Sequence, residues 1–154
     1  MSKFIQSYTT IPKELFRLNN GPAVRLRAYP GPQRPTGLFD LLTYSGNVRP
    51  KALSPTTYMA PNGASMRPNT PKMHRLVDAL RGNSIRIYSI PAGSPIPDDL
   101  ILVHEFKDHY SLQARKEMTL DDLNTKITCF LGGRGKCLTK EEWLRLYPEP
   151  TETE

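Results

Sequence analysis

Two cysteines, Cys129 and Cys137, are all that 154 residues contain, too few to staple a fold. No Cys/His spacing of a zinc site accompanies them, so they read as free thiols in a reducing compartment. No apolar stretch approaches the roughly 20 residues of a membrane span. The opening Met-Ser-Lys-Phe-Ile-Gln-Ser-Tyr has neither the apolar centre of a leader peptide nor a cleavage signal, and the expectation is a soluble protein acting in the cytoplasm. Also missing are a phosphate-binding P-loop, a nucleophile elbow, the histidine pair of a zincin and a carboxylate dyad, which removes the commonest hydrolase and nucleotide-triphosphatase chemistries. Internal repeats are absent, and so is the βαβ alternation of a parallel nucleotide-binding sheet.

Proline, by contrast, is abundant. Fifteen prolines are close to twice the usual share of about 5%, and only 38% of residues are hydrophobic, so much of the chain is expected to be loop. The segments 29–36 and 47–69 carry most of this irregularity. A net charge of +6 and a pI near 9.4 suit attraction to an anionic nucleotide. The arginines are dispersed rather than clustered, which speaks against a nucleic-acid groove. The length suits one domain with a real core.

The clearest strand signals lie between residues 84 and 114. Ile85 and Ile87 alternate with Arg86 and Tyr88, and 100–103 is an unbroken apolar run that suits a strand buried on both faces. Pro91, Gly93, Pro95 and Pro97 separate the two. After a turn at Lys107-Asp108, the run 109–113 places His109, Ser111 and Gln113 on one face and Tyr110 and Leu112 on the other. Such a polar stripe fits the solvated face of an edge strand or a functional site. Residues 13–20 form a further strand, closed by a turn at Asn19-Asn20-Gly21-Pro22; 38–44 fits either one turn of helix or a strand.

Three helices are expected. Thr70 caps the first, with Pro71 at its first position and Met73, Leu76, Val77 and Leu80 at helical spacing before Gly82. Thr119 caps the second, which buries Leu120, Leu123, Ile127, Phe130 and Leu131 and stops at Gly132-Gly133, leaving Cys137 in a glycine-rich loop. Thr139 and Glu142 form the capping box of the third, whose apolar stripe is Trp143, Leu146 and Tyr147. His74 is assigned to the surface and His104 to the core. The whole reads as α+β, with a mixed or antiparallel β core, three flanking helices and long proline-rich loops. An arm occupies 1–12, the domain 13–147, and a disordered acidic tail 148–154.

Three short blocks carry a resemblance: Leu15-Phe16-Arg17, Asn-Gly-Ala-Ser-Met-Arg-Pro at 62–68, and the stretch 90–114. In their order and spacing they resemble the NAD-dependent toxin family delivered by bacterial type VI secretion systems, which has relatives in fungi and the fold of ADP-ribosyltransferase toxins. The resemblance implies NAD as substrate, no metal, an unknown macromolecular acceptor, and a neutralising partner protein. It also implies a site. Arg17 matches the arginine of the first core strand, whose planar fork suits a diphosphate. Ser65 matches the serine beside the nicotinamide pocket; Gly63 permits close approach, Asn62 tolerates a turn, and Tyr58 could stack on nicotinamide or simply pack. His109 and Tyr110 match the family's His-Tyr pair, with Gln113 beside them.

One departure stands out. The fold's Glu-x-Glu or Gln-x-Glu pair is replaced by Gln113-Ala114-Arg115, leaving Glu117 and Glu105 as the nearest carboxylates. The leading expectation is therefore a toxin that binds NAD and breaks its nicotinamide–ribose bond, with ADP-ribose passed to a cellular target. Two alternatives stay open: an NAD-dependent RNA 2′-phosphotransferase, for which Arg17, His109 and Arg115 form a partial cluster, and a non-enzymatic interaction module with proline-rich contact loops.

Overall fold

A computed structural model describes residues 4–29 and 40–154. Among these are eleven strands, β1 (Gln6–Tyr8), β2 (Leu15–Asn20), β3 (Ala28–Tyr29), β4 (Leu41–Leu42), β5 (Asn47–Val48), β6 (Gly63–Met66), β7 (Ile85–Ile90), β8 (Leu100–Phe106), β9 (His109–Ala114), β10 (Met118–Thr119) and β11 (Lys136–Thr139). Three α-helices accompany them, α1 (Pro71–Ala79), α2 (Leu120–Arg134) and α3 (Lys140–Leu146). The class is α+β, as the sequence suggests. Prolines 30, 32 and 35, and with them most of the first expected loop, lie outside the described residues.

Two antiparallel sheets organise the chain, one ordered β1-β8-β9-β6 and the other β11-β7-β2. They meet where Phe16 of β2 bridges Arg67, just past β6, through reciprocal backbone bonds of 2.7 and 3.0 Å. Alternation sends Leu15, Ile90, Leu102, Tyr110 and Leu112 into one apolar cluster capped by Leu123, Ile127 and Leu131 of α2. The opposite faces are covered too. Met73 and Val77 of α1 and Trp143 of α3 pack on Phe16 and Ile87, the Phe16 and Trp143 rings meeting edge-on at 5.4 Å. Ala52 and Tyr58 cover Ile101 and Val103.

The helix caps follow from side-chain chemistry. Thr70 Oγ1 accepts from Met73 N, Thr119 Oγ1 from Asp122 N, and Thr139 with Glu142 closes the reciprocal box. The second helix nevertheless runs through Gly132 and Gly133, which stand in open space, and stops at Gly135. A Cβ at Gly135 would lie 2.5 Å from Ser89 O, so the bare backbone lets the chain turn back against β7. Residues 136–139, expected as loop around Cys137, are the strand β11 paired with β7. In α3 the buried side is Trp143, Leu144 and Tyr147, whereas Leu146 is exposed. His74 and His104 are both half-buried, and both cysteines are free and exposed.

Both chain ends depart from the sequence expectation. The N-terminal arm supplies β1 to the edge of the larger sheet, and Ile11 is buried. The last residues, expected as a disordered acidic tail, are held against the start of α1. Thr151 N and Glu152 N both donate to Asn69 O at 3.0 Å, Glu152 pairs with Lys13 at 2.8 Å, and Glu154 with Arg75 at 3.2 Å. The acidic run has cationic partners that are distant in sequence, which no local pattern reveals.

Two glycines give a test of this packing. A Cβ at Gly63 would lie 2.3 Å from Leu112 O of the neighbouring strand, whereas one at Gly132 meets nothing within 4 Å. Gly63→Ala is expected to lower unfolding free energy by more than about 1 kcal/mol in urea titration, while Gly132→Ala raises it by up to about 1 kcal/mol.

Candidate functional site

Arg17 sits mid-way along β2, and the β2–β6 junction lays it beside Ser65, whose carbonyl accepts from Arg17 Nη1 at 3.2 Å. That is a thin complement for a guanidinium. Its Nε is buried and, among the described residues, has no hydrogen-bond partner. Asp40 is close enough to favour the charge, but its carboxylate is already taken by Arg27, through the backbone N at 2.7 Å and through Nε at 3.2 Å. Burial pulls the Arg17 pKa down from its ordinary value, yet a guanidinium stays charged at any working pH. The result is a half-buried cation whose Nε is enclosed without an acceptor of its own among the described residues.

This cation faces a cleft of about 610 Å³, within the range of about 300–1,000 Å³ usual for small-ligand sites. Arg17, Arg25, Arg27 and Arg81 line it against the single carboxylate of Asp40, with Ser65 in the wall. Several guanidinium forks with one carboxylate among them make a site for a polyanion.

Behind Ser65 runs a chain of mostly buried polar groups. β9 is an interior strand, between β8 and β6, and this corrects the reading of its polar stripe as a solvated face. Ser111, Gln113 and Glu105 are at most 3% exposed. His109 Nε2 lies 3.0 Å from Ser65 Oγ, and its Nδ1 lies 2.8 Å from Glu105 Oε1, an ion-pair distance off the line of an in-plane hydrogen bond. Tyr58 donates to Glu105 Oε2. Gln113 Nε2 in turn donates to Tyr58 Oη at 2.5 Å and to Ser111 Oγ at 3.0 Å, and Asn62 Nδ2 reaches Gln113 Oε1 at 3.5 Å. Burial and the neighbouring carboxylate drive the Tyr58 pKa far up, so the phenol is held as a donor.

A backbone irregularity allows Glu105 to take part. The β8–β9 register shifts between His104 and Phe106, so Glu105 is an extra residue against its partner strand and its carboxylate meets both Tyr58 and His109. Phe106 stacks on the His109 ring at 5.2 Å and fixes its plane from the other side.

The sequence-derived candidates therefore separate by position. Arg17 and Ser65 line the cleft, and His109 stands directly behind Ser65. Tyr58, Asn62 and Gln113 are buried in the supporting network, and Gly63 has no room for a side chain because Leu112 passes so close. Tyr110 points to the other face of β9, stacked on His104 at 4.3 Å within the main apolar core. Glu117 bonds Asn47 at the β5–β10 ribbon, apart from this network. Arg25, Arg27, Asp40 and Arg81 are the site residues that sequence reasoning did not single out, and of the two carboxylates it named, Glu105 and not Glu117 joins the network. One cue existed for Glu105: a carboxylate just past an apolar run, if the strand continues through it into the interior, must be paired.

The fold and cleft can be set beside known proteins. A model of the Tse2 ADP-ribosyltransferase toxin family matches residues 13–143, most of the chain. The chain belongs to that family of ADP-ribosyltransferase toxins. No curated protein and no solved structure matches it. Among the described residues no cluster of three His, Cys, Asp or Glu could hold a metal ion, and no helix is long and apolar enough to cross a membrane.

Removing the Tyr58 hydroxyl tests the network directly. Tyr58→Phe leaves Glu105 Oε2 without its donor and frees a donor of Gln113, and is expected to cost about 1–3 kcal/mol of stability by denaturant titration. A loss below about 0.5 kcal/mol would show that water reaches this site.

Proposed function

We propose that the arginine-lined cleft binds NAD and that the protein breaks the bond between nicotinamide and ribose, passing ADP-ribose to a target in the cytoplasm of a cell it poisons. The observation that carries this is Arg17, a half-buried guanidinium with an unpaired Nε at the wall of a cleft whose lining is strongly cationic. A diphosphate supplies what Arg17 lacks, since its oxygens accept bidentate bonds and its charge offsets the cost of burying the cation. Membership of an ADP-ribosyltransferase toxin family supports the same substrate.

The chemistry asks little of a nucleophile. As the nicotinamide leaves, positive charge develops on the ribose, and the site must favour that charge more than the bound ground state. Ser65 presents its hydroxyl in the cleft wall as a contact for the ribose. Glu105 supplies the negative charge that the missing Glu-x-Glu motif would otherwise bring, acting at one remove through His109. In this reading Tyr58, Asn62, Gly63 and Gln113 hold the wall in place rather than touch the dinucleotide, and Tyr110 belongs to the core. The acceptor is a macromolecule, and a cell that makes such a toxin needs a neutralising partner protein.

Incubation with NAD, with released nicotinamide followed by chromatography, tests the reading. The wild-type protein is expected to release nicotinamide, with Arg17→Ala and Ser65→Ala each at least about tenfold slower while melting within a few degrees of wild type. No release, or release undiminished in both variants, contradicts it.

A further inference from the structure

We propose that Ser65 is itself an acceptor, so that the protein captures ADP-ribose covalently on its own Ser65 Oγ. This rests on the NAD-cleaving reading above and goes beyond it by naming a modification site within this chain.

An ionised carboxylate can only accept, so Glu105 sets the direction of every bond that leads to it. Tyr58 spends its proton on Oε2, which makes its oxygen the acceptor for Gln113. On the other side, Glu105 Oε1 lies 2.8 Å from His109 Nδ1, off the line of a hydrogen bond, and the nearby carboxylate favours the tautomer with its proton on that nitrogen. Nε2 is then a bare lone pair, 3.0 Å from Ser65 Oγ, and the serine hydroxyl is the donor. The arrangement is a nucleophile, a base in reach of its proton, and a third group that fixes the base's tautomer. Sequence places Ser65 of β6 at least 40 positions from Glu105 in the β8 bulge and His109 of β9, and the antiparallel register of Ser65 with Ser111 brings them together.

Ser65 is also in the right place. Ser65 lines both the arginine cleft and a smaller cavity of about 110 Å³ shared with Arg17 and Arg67, so the residue borders the space assigned to the dinucleotide. The step balances as follows. The bond between ribose C1′ and the nicotinamide nitrogen breaks, its electron pair neutralising the pyridinium ring, which departs. Ser65 Oγ forms a bond to C1′ as its proton passes to His109 Nε2, and the imidazolium that results lies beside Glu105. Glu105 does not touch the reacting atoms and is a positioning residue.

The test is mass spectrometry of the intact chain after incubation with NAD and acid quench, with the modified residue located by peptide fragmentation and nicotinamide measured in the same samples. The expected result is a gain of one ADP-ribosyl group at Ser65, absent in Ser65→Ala and restored at a reduced rate in Ser65→Thr. Glu105→Gln, which keeps the shape of the side chain and removes its charge, is expected to slow adduct formation at least about tenfold with the melting temperature monitored as a control. Nicotinamide released in at least equimolar amount with Ser65 unmodified overturns the inference and leaves the NAD-cleaving reading standing. If no nicotinamide is released at all, that reading fails, and the self-modification fails with it.

Discussion

A single buried carboxylate sets the terms for this molecule. Glu105 is 3% exposed, lies near the end of a strand that begins with four apolar residues, and is accommodated because a register shift turns it toward a phenol and an imidazole. Leaving such a charge unpaired in the interior costs several kcal/mol, so Tyr58 and His109 are required partners. Their own remaining groups then need partners, which extends the demand to Gln113, Ser111 and Asn62 in one direction and to Ser65 in the other. A polar seam thus crosses the larger sheet from the proline-rich 50s to the cleft. Within it Asn62 Oδ1 and His109 Nδ1 are buried without a hydrogen bond of their own among the described residues.

Charge of the opposite sign governs the cleft. Arg17 reaches the seam only through the backbone carbonyl of Ser65, and Asp40 is committed to Arg27. The guanidinium therefore stays short of acceptors, which gives an anionic ligand something to add. The junction of the two sheets at Phe16 and Arg67 makes the arrangement possible, since it sets an arginine of one sheet against a serine of the other. The neighbouring Arg67 has a carboxylate of its own, Asp108 at 3.5 Å, and Asp108 also receives the Thr70 hydroxyl at 2.6 Å. Two adjacent arginines thus have different surroundings, one compensated inside the fold and one turned to the cleft.

Much of this was legible in the residues. Alternation in β7 and β9 and the apolar run of β8 announce themselves, because strand periodicity is local and these strands are buried on at least one face. The caps at Thr70, Thr119 and Thr139 are equally local. What escaped was non-local. The stop of α2 at Gly135 depends on Ser89 approaching from another strand, and the seating of the C-terminal residues depends on Lys13, Asn69 and Arg75. For the site, the family resemblance pointed to Arg17, Ser65 and His109, which the fold brings side by side. Tyr110 and Gly63 looked similar in sequence but face, respectively, the core and a neighbouring backbone. Glu105 could not be placed from alternation alone, since its partners are fixed by an irregularity in register that leaves no simple mark in the sequence.

The central claim is that the Glu105 carboxylate dictates where the proton on His109 resides. The most direct check is long-range nitrogen–proton NMR of the His109 ring at a pH where it is neutral, in the wild-type protein and in Glu105→Gln. The account predicts a protonated Nδ1 and a bare Nε2 in the wild type, with that preference weakened or reversed once the charge is removed. A proton on Nε2 in the wild type, or the same tautomer in both proteins, contradicts it.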